Sequence, residues 1–170
     1  VILATGGEKI KPDIPGIDVP MVCDAWQILG GEVVPKKHAG VIGGGLIGME
    51  TADFLLQKGT QVTLVEALKH SPVLKITSHG YMLHKRLRDG KCTLLFNTTV
   101  KRIEEGSVIT VSDGQEGVLS PAEQVIVAVG LRPNDDLKKW IKTQSGYINR
   151  VLGKLDDDAR IHRKGEENII

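Results

Sequence analysis

Cysteine is scarce in this chain, aromatic residues are few, and neither charge sign dominates. Only Cys23 and Cys92 are present among 170 residues. They form no C-x-x-C spacing, which excludes a redox pair, a zinc ribbon and a disulfide framework. Both read as reduced, structurally incidental thiols. Lys and Arg number 22 against 21 Asp and Glu, and they are spread along the chain. Without a concentrated basic face, no nucleic-acid partner is expected. No apolar run approaches the ~20 residues needed to span a bilayer. No secretory leader is visible, so a cytoplasmic location is expected. Metal chemistry has no foothold either. His38, His70, His79, His84 and His162 show no H-x₃-H spacing, and Asp156-Asp157-Asp158 lacks that of a calcium loop and reads as a solvated turn. There is no G-x-S-x-G elbow, so no catalytic nucleophile is assigned.

What remains is one ordinary α/β domain's worth of chain. Val1-Ile2-Leu3-Ala4 reads as a strand and Asn168-Ile169-Ile170 as the start of another, so a piece of a longer chain is expected. Residues 8–40 read as a crossing segment punctuated by Pro12, Pro15, Gly16 and Pro20, with a short helix at Ala25 to Leu29. Ala39 to Ile42 is a short buried strand. Leu46 to Lys58 has helical period, with Ile47, Thr51, Phe54 and Leu55 on one face, and Gly59 closes it. Gln61 to Val65 is apolar enough for a buried parallel strand. A second helix is expected over Ser78 to Arg88, then a strand at Thr93 to Phe96. Three short strands follow near 99–104, 107–112 and 117–119, broken by Gly106 and Asp113-Gly114, as in an antiparallel meander. Gln124 to Val129 is a further buried strand. The tail from Lys138 carries no clear pattern.

Gly43-Gly44-Gly45-Leu46-Ile47-Gly48 fits G-x-G-x-x-G, with a strand entering, a helix leaving, and Glu66 ending the next strand. The chemistry explains the spacing. Gly43 permits the tight turn, Gly45 lets a pyrophosphate approach the backbone, and Gly48 lets helix and sheet pack closely. The diphosphate would meet the N–H groups of Leu46, Ile47 and Gly48 at a positive helix end. Glu66 can accept from the adenosine ribose hydroxyls and repels a 2′-phosphate, so NAD(H) is expected over NADP(H). Lys69 and His70, just beyond, are the residues that would favour a 2′-phosphate. Glu50, expected in the first helical turn, suits either the helix dipole or a ligand-facing role. A glycine turn without a ligand is the alternative for the whole motif.

These motifs resemble those of flavoproteins with two dinucleotide-binding domains. Val1 to Gly7 resembles the strand leaving the FAD domain, and Ile14-Pro15-Gly16 the segment after it. Val41 to Ala52 resembles the NAD fingerprint, and Ile126 to Asn134 the returning strand. Val22 to Gly31 and the Thr98 to Ile103 stretch are most similar to old-yellow-enzyme-type NADH:flavin oxidoreductases, such as 2,4-dienoyl-CoA reductase, 2-enoate reductase and trimethylamine dehydrogenase. The resemblance implies a three-layer Rossmann-like NAD(P)-binding domain, a parallel sheet with helices on one face and the meander on the other. It implies a division into 1–40 leaving an FAD domain, 41–137 binding NAD, and 138–170 returning. Gly130 would pass close to the cofactor and Glu50 would lie by the nicotinamide. The parent would carry FAD, FMN and an iron–sulfur cluster, and its FAD and barrel domains would be this chain's partners. NADH would reduce FAD for an enoate or dienoyl-CoA substrate. An NADH oxidase, a disulfide or ferredoxin reductase, or a structural ADP site as in trimethylamine dehydrogenase are the alternatives. The FAD fingerprint is absent, so this chain alone is expected to turn nothing over.

Overall fold

A computed structural model describes residues 2–73 and 78–143. Val1, the Asp156 to Asp158 run, His162 and the Asn168 to Ile170 stretch lie outside them. In chain order the strands are β1 (Gly7–Lys9), β2 (Val22–Asp24), β3 (His38–Ile42), β4 (Gln61–Val65), β5 (Thr93–Leu95), β6 (Thr98–Glu104), β7 (Ser107–Ser112), β8 (Gln115–Leu119), β9 (Gln124–Val127) and β10 (Leu131–Pro133). The helices are α1 (Ala25–Leu29), α2 (Leu46–Gln57), α3 (Ser78–Asp89) and α4 (Asp136–Thr143). They fall into two compact units, 9–130 and, among the described residues, 2–8 with 131–143.

In the larger unit, β2, β9, β3, β4 and β5 lie in that order in a wholly parallel sheet. A parallel sheet must be covered on both faces, and the apolar runs of β3, β4 and β9 reflect this. One face packs Val41, Leu64 and Ile126 against Ala25 and Ile28 of α1, Met49, Ala52 and Leu55 of α2, and Leu83 and Leu87 of α3. The other face packs Ile42 and Val125 against Ile103 and Val108 of the antiparallel sheet β6-β7-β8. The expected three layers are therefore present. The β7–β8 turn is Asp113-Gly114, both at positive φ (50° and 78°), which suits the twist of a two-residue hairpin.

Three details differ from the sequence reading. First, Val22–Asp24 adds an edge strand to the sheet, with Val22 opposite Val125. The compact unit thus begins at Lys9, well before 41, because Ile14, Ile17, Val19 and Met21 also pack on the core between sheet and meander. Second, α2 buries Thr51 and Leu55 as expected, but also Gly48, Met49 and Ala52, while Ile47 and Phe54 are only partly buried against the same core. At position 48 the space leaves room for no side chain, since a Cβ there would overlap the Gly43 carbonyl oxygen. Third, α2 starts at Leu46 with Gly45 as its N-cap, so Glu50 lies beyond the first turn.

The smaller unit holds the β1–β10 ribbon, where the Arg132 guanidinium donates twice to Glu8, at 2.9 and 2.6 Å. Among the described residues, Ile2 to Ala4 do not form the strand expected over Val1 to Ala4. Residues 2–6 are irregular, and pairing starts at Gly7 where β10 supplies a partner. In α4, which the sequence did not announce, no residue is buried.

Candidate dinucleotide-binding site

The strand order makes a crevice between β3 and β9. From β3 the chain moves outward to β4 and β5, whereas β9 and β2 lie on its other side. Ligands of open α/β sheets settle at the carboxyl ends of the strands at such a reversal. A cavity of about 570 Å³ lies there, within the ~300–1,000 Å³ usual for ligand sites. Gly43, Gly45, Leu46, Ile47, Glu66 and Gly130 all line it.

Each glycine has a local reason. Gly43 has φ +110°, and a Cβ there would lie 2.5 Å from the Ala128 carbonyl oxygen. Only glycine permits this turn against β9. A Cβ on Gly48 would overlap the Gly43 carbonyl oxygen, so Gly48 stands behind the cavity as the packing glycine. At Gly45 a Cβ would meet nothing within 4 Å, which leaves open space above the backbone. Gly45 caps α2 without any side-chain hydrogen bond, so the first-turn N–H groups have no internal partner of that kind. The helix dipole adds positive potential at the same place.

Glu66 is buried, and its carboxylate accepts from two backbone amides, Gly44 N–H at 2.5 Å and Leu68 N–H at 2.8 Å. A carboxylate has about four acceptor positions, so about two remain for ribose hydroxyls. The fixed negative charge disfavours a third anion beside it. Lys69 and His70, which would favour a 2′-phosphate, are exposed and do not line the cavity. The residues thus fit an NAD(H)-type dinucleotide: open glycine backbone, helix N–H groups and a buried carboxylate.

Glu50 lies elsewhere. Its Oε1 is 3.1 Å from His79 Nε2 on α3, and it does not line the cavity. The thiols are remote from redox chemistry. Burial, then the adjacent Asp24 charge, pushes Cys23 up to about 11, and burial pushes Cys92 up to about 11. Neither is a thiolate at neutral pH. Among the described residues, no group of His, Cys, Asp and Glu could hold a metal ion, and no helix is long and apolar enough to cross a membrane.

Sequence reasoning missed several lining residues, among them Ile14, Leu68, Pro72 and the Thr98-Thr99-Val100 run. The last was read as meander and as part of the family resemblance, not as cavity lining, although its position directly after β5 was a usable signal.

Comparison with known proteins agrees with this geometry. A family model described as pyridine nucleotide-disulphide oxidoreductase matches residues 1–162. The chain is 37% identical over 171 residues to a bilirubin reductase of Mediterraneibacter gnavus, covering 100% of this chain and 26% of that protein. It is 33% identical over 167 residues to an NADH oxidase of Thermoanaerobacter brockii, covering 95% and 25%. Among solved structures, a 2-naphthoyl-CoA reductase bound to 2-naphthoyl-CoA superposes with a TM-score of 0.72 at 28% identity, over 80% of this chain and 21% of that one. The chain therefore spans about a quarter of the length of the relatives it matches.

Proposed function

The chain belongs to the pyridine nucleotide-disulphide oxidoreductase family, and from that premise we propose that it is the NAD(H)-binding region of a flavin-dependent oxidoreductase of the NADH oxidase or disulfide reductase kind. The observation that carries the reading is the pairing, at one cavity, of an uncapped helix start at Gly45 with the buried Glu66 carboxylate. In this reading Leu46, Ile47 and Gly48 present N–H groups to the pyrophosphate. Glu66 holds the adenosine ribose, and Gly43 and Gly130 keep the backbone low along the cavity. When bound, the nicotinamide would supply hydride to a flavin. This chain's task is to bind and orient the cofactor while the flavin carries the redox chemistry.

A second reading keeps the same site and changes the parent. Similarity to a 2-naphthoyl-CoA reductase and a bilirubin reductase favours reduction of a conjugated unsaturated substrate. That parent would carry the FMN barrel and iron–sulfur cluster of old-yellow-enzyme-type proteins, with enoate or dienoyl-CoA as substrate.

Hydride transfer needs an acceptor held about 3–3.5 Å from the nicotinamide. The purified chain should therefore be colourless and should oxidise no NADH with quinone or dye acceptors above a buffer control. It should still gain thermal stability from NADH by ligand linkage. Steady NADH consumption without added flavoprotein, or a yellow preparation, would contradict the proposal. A structural ADP site would show as equal affinity for ADP and NADH.

A further inference from the structure

Three consecutive glycines make a turn that the chain itself holds poorly, because each has the widest conformational freedom of any residue. Something outside the turn must orient the peptides that aim the first-turn N–H groups. The structure shows what does so. The Gly44 N–H donates to Glu66 Oε2 at 2.5 Å, and the Gly44 carbonyl accepts from Ser71 Oγ at 3.0 Å. Ser71 is buried and follows β4, on the same connection as Glu66. Its hydroxyl has one proton and two acceptors in reach, the second being Met49 Sδ at 3.1 Å. A carbonyl oxygen is the stronger acceptor, so the proton belongs to Gly44. Ser71 Oγ also accepts weakly from Val73 N–H at 3.4 Å. The fit is close on Glu66's side as well. A Cβ at position 44 would lie 2.9 Å from Glu66 Cβ and 3.0 Å from Oε2, which is why the unassigned middle position of the motif is glycine too.

We propose that Ser71 is a positioning residue of the dinucleotide site: with Glu66 it clamps the two peptide groups flanking Gly44, Glu66 holding the N–H of 43–44 and Ser71 the carbonyl of 44–45, and this clamp sets the grip on the pyrophosphate. The inference rests on the NAD(H) reading and deepens it. Neither Gly44 nor Ser71 lines the cavity, so the clamp acts from behind the turn. It restricts the glycine turn before the ligand arrives, which lowers the ordering cost of binding. The Leu68 N–H bond to Glu66 does not depend on it. Ligands carrying a pyrophosphate should therefore feel the loss of Ser71, and adenosine should not.

The test is a ladder of probes on the whole chain: NADH, ADP and adenosine, each titrated against wild type, Ser71→Ala and Ser71→Thr. Ser71→Ala should weaken NADH and ADP roughly tenfold, the cost of about one lost hydrogen bond, and leave adenosine within twofold. Ser71→Thr, which keeps the hydroxyl, should stay near wild type. Backbone hydrogen exchange without ligand gives an independent readout: the Gly45 N–H, on the same peptide as the Gly44 carbonyl, should exchange faster in Ser71→Ala. If Ser71→Ala does not fold, Ser71→Cys, with its weak donor, replaces it in both arms. Equal losses across all three probes would mark Ser71 as merely structural and overturn the proposal, as would no loss at all. Should wild type bind no probe, the NAD(H) reading fails, while unchanged Gly45 exchange in the variant separately overturns the clamp.

Discussion

The two ends of the central sheet both open into clefts of similar size, about 570 Å³ at the carboxyl ends of the strands and about 520 Å³ at the amino ends. Only their chemistry separates them. At the amino end, the chain leaving α2 and α3 closes its own backbone: Gly59 N–H donates to Leu56, Thr60 N–H to Leu55, Gly90 N–H to Arg86 and Cys92 N–H to Leu87. His38 and Glu123 do the same across the strands, each amide donating to the other residue, His38 N–H to the Glu123 carboxylate and Glu123 N–H to the His38 carbonyl. At the carboxyl end, α2 starts on an uncapped glycine beside a carboxylate held by two amides. Volume does not choose the site. Backbone donors without a side-chain cap do.

The largest effect expected from this contrast concerns one glycine from each end. Gly48→Ala forces a methyl group onto the Gly43 carbonyl, and backbone on both sides cannot yield. A loss of about 3 kcal/mol is expected, as for severe overpacking. Gly40 in β3 has nothing within 4 Å of its would-be Cβ, so Gly40→Ala should stay within about 1 kcal/mol. Thermal denaturation of the two variants measures both. Equal losses would break the contrast.

Next comes Glu66→Ala. Charged hydrogen bonds to the ribose are worth ~1.5–3 kcal/mol, so NADH binding should weaken by one to two orders of magnitude. Discrimination against NADPH should relax at the same time. Tighter binding of NADPH than NADH by the wild-type chain would refute the role given to Glu66.

The amino end offers smaller effects that should leave NADH affinity untouched. Lys91 lines that cleft with φ 61°, a backbone conformation that costs an L residue about 1 kcal/mol. Lys91→Gly removes this cost but frees the unfolded chain, for a net gain of about 0.5 kcal/mol. Unchanged or lower stability in a denaturant titration would show that the left-handed turn is unstrained.

The smallest effect is one of pH. The His38 backbone N–H, with its ring as a further partner, holds the Glu123 carboxyl below the ordinary glutamate range. A group depressed in the folded state contributes stability above its unfolded pKa and loses it as pH falls through the folded value. Stability should therefore drop slightly more steeply on acidification in wild type than in Glu123→Gln. Parallel acid limbs in the two proteins would remove Glu123 from the account.

The site's frame was legible because its signals are local. Gly43, Gly45 and Gly48 have fixed spacing, Glu66 ends an apolar run, and the Asp113-Gly114 turn announces a hairpin. What escaped depended on partners distant in sequence. Val22–Asp24 becomes a strand only through Val125 to Val127, and Gly7–Lys9 only through Leu131–Pro133. The residues alone left Glu50 open between the helix dipole and the ligand, and only the family resemblance put it by the nicotinamide. The helix begins at Leu46 and turns that side chain to His79 instead. Ser71 sits after β4 in no recognisable pattern, and only the folded chain brings it to Gly44.

Backbone hydrogen exchange across the chain, with and without saturating NADH, tests the central claim most directly. The account predicts slowed exchange at Leu46, Ile47, Gly48, Leu68 and Gly130 beyond the uniform slowing that linkage gives every globally opening amide, and no such excess at Gly40, Gln61, Thr63 or Lys91. Excess protection at the amino-end cleft, or protection nowhere, would contradict it.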